Sequence, residues 1–124
     1  MNKYKGRFLK NEKRSMSQTI MVQNNFVDAV NVCPHIYQVL LENEIVRVLE
    51  MRERPGEKDQ MHSSRKRVTY AIQYARLRIF LPDLPSHDSE ISAGKAFFQE
   101  ATPMHSVQNI GTSDAHFLIV ELKS

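Results

Sequence analysis

Short apolar segments alternate with polar turn residues along most of this chain. Candidate strands run over residues 37–41, 45–51, 62–73, 76–81, 95–99, 105–110 and 116–122, with a short piece at 90–92. Turn signals separate them at Pro55-Gly56, Pro82-Asp83, Pro103 and residues 111–114. No long amphipathic helix interrupts this pattern after residue 36. Many short strands at close spacing predict an all-β sandwich or barrel.

The last candidate strand is apolar on both of its faces. Phe117 and Ile119 point to one side, and Leu118, Val120 and Leu122 point to the other. A strand of this kind is covered on both sides, and a small domain has few elements of its own to do so. We therefore expect a homodimer.

Length and composition narrow the class of protein. The chain has 124 residues, which suits one domain, and its apolar runs are far shorter than the ~20 residues of a membrane-spanning helix. Its single cysteine, Cys33, has no internal disulfide partner. Membrane, secreted disulfide-rich and fibrous classes are therefore excluded. A reducing, cytoplasmic location is the expectation.

The positive charge of the chain is concentrated in its first residues. Residues 1–15 hold six basic side chains and one acidic, whereas the remainder holds 11 basic and 13 acidic. Residues 1–15 are predicted to be a disordered extension, since such a charge-rich segment buries little apolar surface. A nucleic-acid-binding arm is the less favoured alternative. Residues 16–36 are expected to pack on the domain or on a partner, and 37–124 to form the domain itself.

Two segments each place a glycine ahead of a histidine that opens a strand. The first reads PGEKDQMHSS over residues 55–64, and the second runs from Gly94 through His105 to Asn109. Together they resemble the two motifs of the cupin superfamily, with Gly56 and His62 at the start of the first. The resemblance covers about residues 37–123. It implies a cupin-type jelly-roll β-barrel, preceded by a short irregular or strand-like N-terminal segment.

The metal ligands that the resemblance implies are incomplete in this chain. Ser64 stands where the family has a second histidine, and the family's glutamate falls at Val68, or at Thr69 with the longer spacing. His62 and His105 remain as metal ligands. Two imidazoles hold iron, nickel, zinc or manganese weakly unless another donor joins them. The other donors near in sequence are Gln73, His87, Gln99 and His116. An empty pocket with two imidazoles is favoured over a weak metal site, and a complete metal centre ranks last.

A two-residue period that starts at His62 predicts which side chains point into the barrel. The predicted pocket consists of His62, Ser64, Val68, Tyr70, Phe98 and His105. The basic run 65–67 could attract an anionic ligand to the pocket mouth. A solvated strand start is the favoured interpretation of that run.

Three functions remain open at this point. The first is a cupin-fold protein that binds a small molecule in the barrel interior, beside a degenerate metal site. The alternative is a metal-dependent cupin enzyme of the dioxygenase or isomerase type, with His62 and His105 as ligands and a substitute third donor. The third is an interaction protein that binds through its basic arm. The sequence leaves open whether the protein is an enzyme, and fold by itself names no substrate.

Overall fold

One short helix and nine strands make up the part of the chain that the computed structural model describes, residues 25–123. The elements are α1 Ala29–Val32, β1 Tyr37–Glu42, β2 Val46–Glu53, β3 His62–Ser64, β4 Arg67–Ala71, β5 Ala75–Phe80, β6 His87–Ile91, β7 Ala96–Gln99, β8 Thr102–Asn109 and β9 Ala115–Leu122. The predicted extension at 1–15 lies outside these residues. Within 25–123, no helix is long and apolar enough to cross a membrane. The all-β prediction is confirmed.

The strands form two antiparallel sheets. One has five strands in the order β1-β2-β9-β4-β7, and the other has four in the order β3-β8-β5-β6. The chain changes sheet between β2 and β3, between β3 and β4, and again after each of β4, β6, β7 and β8. The two sheets therefore close over a shared interior. Apolar side chains of both sheets form the core there: Leu49, Met51, Ala71, Ala75, Leu77, Ala115 and Phe117.

The outer face of the five-stranded sheet carries a continuous apolar row. Cross-strand pairing places Leu41, Val48, Val120, Val68 and Phe98 side by side, one residue from each strand. Three of these side chains are more than one-third exposed. We call these five residues the apolar row.

Residues 25–36 lie against the barrel. Asp28 caps α1 by accepting a hydrogen bond from the backbone N–H of Val30 at 3.2 Å. The Val27 carbonyl accepts a hydrogen bond from the backbone N–H of Ser63 at 2.7 Å, which extends the sheet beside β3. The capping carboxylate also binds Arg47 of β2. This segment therefore closes one flank of the barrel.

The strand predicted over residues 62–73 is in fact two strands in different sheets. β3 ends at Ser64 and β4 begins at Arg67, and both of these side chains line the interior. Ser64 and Arg67 are three positions apart, whereas residues on one face of a continuous strand are two or four apart. The break between β3 and β4 therefore changes which residues point inward. Thr69 and Ala71 are therefore buried, while Val68, Tyr70 and Ile72 face outward.

Two local predictions are also wrong. Pro103 lies within β8, not in a turn, at the irregular register between the pairs His62–His105 and Ser64–Thr102. Proline has no backbone N–H to donate, but the pairing is irregular here, so no regular cross-strand hydrogen bond is lost. Residues 87–91 form β6 where a loop was expected through residues 87–88. Ion pairs across β5 and β6, including Arg78 with Asp88 at 2.7 Å, support this polar edge strand.

Candidate functional site: a cavity inside the barrel

The interior of the barrel contains a cavity of about 540 Å³ between the two sheets. Its volume lies within the range of roughly 300–1,000 Å³ that is typical of small-molecule sites. Its lining combines apolar side chains, which include Ile79 of the four-stranded sheet and Phe97 and Phe117 of the five-stranded sheet, with several polar side chains. A mostly apolar lining with a few polar groups is the usual construction of a ligand site.

Two histidines meet at the polar end of the cavity. His62 of β3 and His105 of β8 pair directly across the strands, and their ring centroids lie 4.6 Å apart. Each ring places Nδ1 at 2.7 Å from a backbone carbonyl, that of Gln60 or Pro103. A carbonyl oxygen only accepts, so both Nδ1 atoms carry the proton in the neutral ring and both Nε2 atoms are left with a lone pair.

The environment keeps His105 uncharged. Burial lowers the pKa of His105 to about 4, and nearby His62 and Arg67 act in the same direction. The Ser64 hydroxyl lies 3.4 Å from Nε2 of His105 and can donate a hydrogen bond to it. His105 is thus an uncharged ring whose Nε2 atom can accept a hydrogen bond in the cavity.

These side chains do not provide a complete metal site. In the described chain, no group of three or more His, Cys, Asp or Glu side chains is arranged to hold a metal ion. Ser64 supplies a hydroxyl where the family has its second histidine. At the longer motif spacing, Thr69 occupies the position of the family's glutamate, and its side chain points inward. Thr69 donates its hydroxyl to Gln99 at 2.9 Å. Two imidazoles without a carboxylate leave a divalent cation short of ligands and of negative charge.

A buried arginine occupies the same cavity. Arg67 is only 6% exposed, and its side chain lines the interior near Thr102. One terminal nitrogen of its guanidinium donates to the carbonyls of Arg65 and Glu100 at 3.0 and 3.2 Å. Among residues 25–123, no carboxylate lies within 4 Å of this guanidinium. The expectation of a solvated strand start is therefore wrong for Arg67.

Next to Arg67, a buried ion-pair network ties the N-terminal segment to the five-stranded sheet. Arg47 donates through Nε to Glu121 at 2.7 Å and through both terminal nitrogens to Asp28 at 2.9 Å. Arg65, which is partly exposed, approaches the same two carboxylates at 3.5 and 4.0 Å. Bidentate arginine pairs of this kind fix geometry as well as charge.

A second polar cluster lies beneath the histidines. The Tyr37 hydroxyl donates to Asp59 at 2.6 Å, and the backbone N–H of Val107 donates to the other oxygen of Asp59 at 2.7 Å. Nδ1 of His62 is 3.8 Å from the same carboxylate. Burial raises the pKa of Asp59 despite these donors. Asp59 therefore supports the strand connection that carries His62.

Glu53 is the least satisfied group of this cluster. It is fully buried, and neither of its carboxyl oxygens has a hydrogen-bond partner in the described part of the chain. The neighbouring backbone N–H groups of Asp59 and Asn109 donate to the carbonyls of Val107 and Glu57 instead. Burial, followed by the charges of Asp59 and Glu57, raises the pKa of Glu53 to about 9.

Only half of the predicted pocket lies in the cavity. His62, Ser64 and His105 line it, as the motifs indicate. Val68, Tyr70 and Phe98 do not, because β4 and its neighbour β7 point these side chains to the outer face, where Phe98 is 53% exposed. Of the further donors, His87 and Gln99 line the cavity. His116 instead binds Glu50 at 2.6 Å on the outer face, and Gln73 binds the Asp114 carbonyl.

Arg67, Thr69 and Glu121 are cavity residues that sequence reasoning missed. Glu121 shares a face with Phe117 and Ile119 in the last strand, so its position was readable from the alternation. Arg67 and Thr69 required the break after Ser64 to be recognised. The basic pair at residues 65–66 was the available signal, because two successive charged residues rarely continue a buried strand.

The motif glycines and asparagine have structural roles. Gly56 and Gly94 adopt positive φ values of 84° and 82°, which non-glycine residues rarely adopt, in the turns before β3 and β7. The Asn109 side chain donates to the carbonyls of Glu53 and Ser113 at 2.8 and 2.9 Å and so closes the turn into β9. Two sheets with these turns and an interior pocket define a cupin-type double-stranded β-helix.

Comparison with solved structures confirms the resemblance to cupins. A cupin domain from Bordetella pertussis is 26% identical over 72% of this chain and 93% of its own, with a TM-score of 0.67. An RmlC-like cupin family protein from Methanocaldococcus jannaschii is 20% identical, covers 70% of this chain and 78% of its own, and has a TM-score of 0.56. A double-stranded β-helix protein from Klebsiella pneumoniae is also 20% identical, covers 68% and 73%, and has a TM-score of 0.54.

The chain is therefore a small cupin-fold protein, and the predicted fold class is confirmed. No protein-family model matches it, and no curated protein is significantly similar to it in sequence. The solved structures establish the fold, and the function has to be argued from the cavity.

Proposed function

We propose that this protein binds a small molecule in the barrel interior and uses no resident metal to do so. The cavity carries the proposal, because it joins apolar side chains to the hydroxyl of Ser64 and the imidazoles of His62 and His105. A ligand there would bury apolar surface and satisfy the imidazole acceptors at one end.

The donor set disfavours the alternative of a dioxygenase or isomerase that depends on a metal. Two imidazoles remain of the family's ligands, and the cationic guanidinium of Arg67 lies in the same cavity. A nearby positive charge opposes the binding of a divalent cation. The site is accordingly proposed as a degenerate metal site, with at most weak affinity for iron, nickel, zinc or manganese.

The binding proposal is tested by filling the cavity. Benzyl alcohol serves as a neutral probe, and protein NMR shifts report its saturable binding. Ile79→Trp places an indole in the cavity and is expected to abolish binding. Ile45→Trp is the matched control, because Ile45 is 69% exposed and lies outside the cavity.

Thermal melts identify any loss of fold in either variant. Equal binding by wild type, Ile79→Trp and Ile45→Trp would place the probe outside the barrel interior and contradict the proposal. Absence of saturable binding to the wild type would contradict it as well.

We also propose that two copies associate through the apolar row. Five strands about 4.8 Å apart and about 20 Å long present roughly 500 Å² in projection, the same order as the ~800 Å² that each partner buries in a stable interface. The carboxylates beside the row have partners, since Arg52 lies 3.9 Å from Glu50 and 3.6 Å from Asp114, and His116 contacts Glu50 at 2.6 Å. A second copy therefore meets little unbalanced charge there.

Val120→Glu tests this interface, because Val120 lies at the centre of the row. Sedimentation equilibrium is expected to show a dimer for the wild type and for the control Ile45→Glu, and a monomer for Val120→Glu. Circular dichroism checks the fold of each variant. A monomeric wild type at high micromolar concentration would refute the proposed dimer.

The cytoplasmic location stays a prediction from the single cysteine.

A further inference from the structure

Arg67 lines the cavity beside a cluster of charged side chains in which arginines outnumber carboxylates. Three arginines, Arg47, Arg65 and Arg67, lie around two carboxylates, those of Asp28 and Glu121. Arg47 and Arg65 each contact both carboxylates. Arg67 contacts neither within 4 Å in the described chain. Among the described residues, Arg67 is therefore the arginine of this cluster that makes no direct ion pair, although Glu121 lies opposite it in the pairing of β4 with β9.

The contacts of Arg67 position it without neutralising it. The carbonyls of Arg65 and Glu100 and the hydroxyl of Thr102 all accept from the same terminal nitrogen, at 3.0 to 3.3 Å. Within residues 25–123, its Nε and second terminal nitrogen make no hydrogen bond of this kind. Burying a charge without a partner is costly, so an unpaired buried guanidinium indicates an anionic ligand.

The other charged groups that line the cavity do not supply this anion. Glu121 is held by Arg47, and Glu90 lies 3.6 Å from Arg76 on the neighbouring strand. Lys95 adds a further positive charge at the cavity wall. The lining thus favours an anion over a cation.

We propose that the cavity binds a small organic carboxylate, with the carboxylate on Arg67 and an apolar body against Ile79, Phe97 and Phe117. This inference rests on the proposed function and specifies its ligand class. The planar guanidinium fork matches a carboxylate through two parallel hydrogen bonds. The apolar part of the lining favours an organic anion over inorganic phosphate, which has no apolar body to cover it.

The test compares benzoate with benzamide, its neutral analogue of the same shape, by calorimetry and NMR. Benzoate is expected to bind the wild type, and Arg67→Gln to weaken it by about tenfold or more, as the loss of a charge-assisted pair implies. Arg67→Lys is expected to be intermediate. Arg78→Gln is the matched control, because Arg78 lies on the exposed face of β5 and pairs with Asp88. Benzamide is expected to bind these variants alike.

Each outcome separates this inference from the proposed function. If benzoate and benzamide bind equally and Arg67→Gln changes neither, the anion site is refuted while the cavity remains a neutral binding site. If neither probe nor benzyl alcohol binds, both proposals fail. Should Arg67→Gln fail to fold, the Nε resonance of Arg67 in the wild type tests the inference instead. This resonance is expected to shift when benzoate is added and not when benzamide is added. An unchanged resonance on benzoate addition would overturn the inference.

Discussion

We expect Glu53 to weaken the folded state at neutral pH, and a neutral glutamine at this position to remove the effect. The carboxyl is fully buried without a hydrogen-bond partner among the described residues. Burial raises its pKa from the ordinary 4.5 to about 9. Between these values the folded protein holds a proton that the unfolded chain has released, so stability falls as pH rises through this window.

The size of the effect follows from the pKa difference. One pKa unit corresponds to about 1.4 kcal/mol, so the 2.5 units between 4.5 and pH 7 give an upper estimate of about 3.5 kcal/mol. Glu53→Gln keeps the shape and stays neutral at every pH. We expect it to stabilise the protein by about 2–3 kcal/mol at pH 7. We expect little effect at pH 4.5, where the Glu53 carboxyl is protonated in the folded state and about half protonated in the unfolded chain.

Urea unfolding followed by circular dichroism at several pH values measures this difference. Glu44→Gln is the matched control, because Glu44 is exposed, and its stability is expected to follow the wild type at every pH. A Glu53→Gln protein whose stability equals the wild type at both pH 5 and pH 8 would show that the Glu53 carboxyl is solvated or paired. The argument from burial would then be wrong.

Two further predictions concern the cavity and the single thiol. Ser64→His adds a third imidazole beside His62 and His105. Nickel or zinc affinity measured by calorimetry is expected to rise by 10- to 100-fold or more, because an added ligand provides several kcal/mol. Unchanged affinity in a folded variant would show that position 64 does not point at the imidazoles. Cys33 is buried and its pKa is raised by burial, so a disulfide reagent is expected to label it slowly in the native protein and rapidly in urea. Equal rates in both states would place the thiol at the surface.

The sequence alone determined the fold class and the pair of motif histidines. Turn residues and short alternating segments depend on local chemistry, and most strands begin and end within two residues of the predicted bounds. Gly56 and Gly94 occupy positive-φ turns that local sequence can specify. His62 and His105 were brought together by the motif match, and the cross-strand pair places them there.

Only the tertiary structure decided which face of β4 is the inside. Alternation in this strand separates Val68 and Tyr70 from Arg67 and Thr69, and the two-residue period continued from His62 assigned the wrong set to the interior. The barrel encloses a cavity, and Arg67 and Thr69 line it, while Val68 and Tyr70 lie on the outer face of the five-stranded sheet. The two residues between β3 and β4 change which residues of β4 point inward. A break of this kind depends on which sheet each strand joins. Periodicity shows that two faces differ, but the packing partner of each face decides which one is buried.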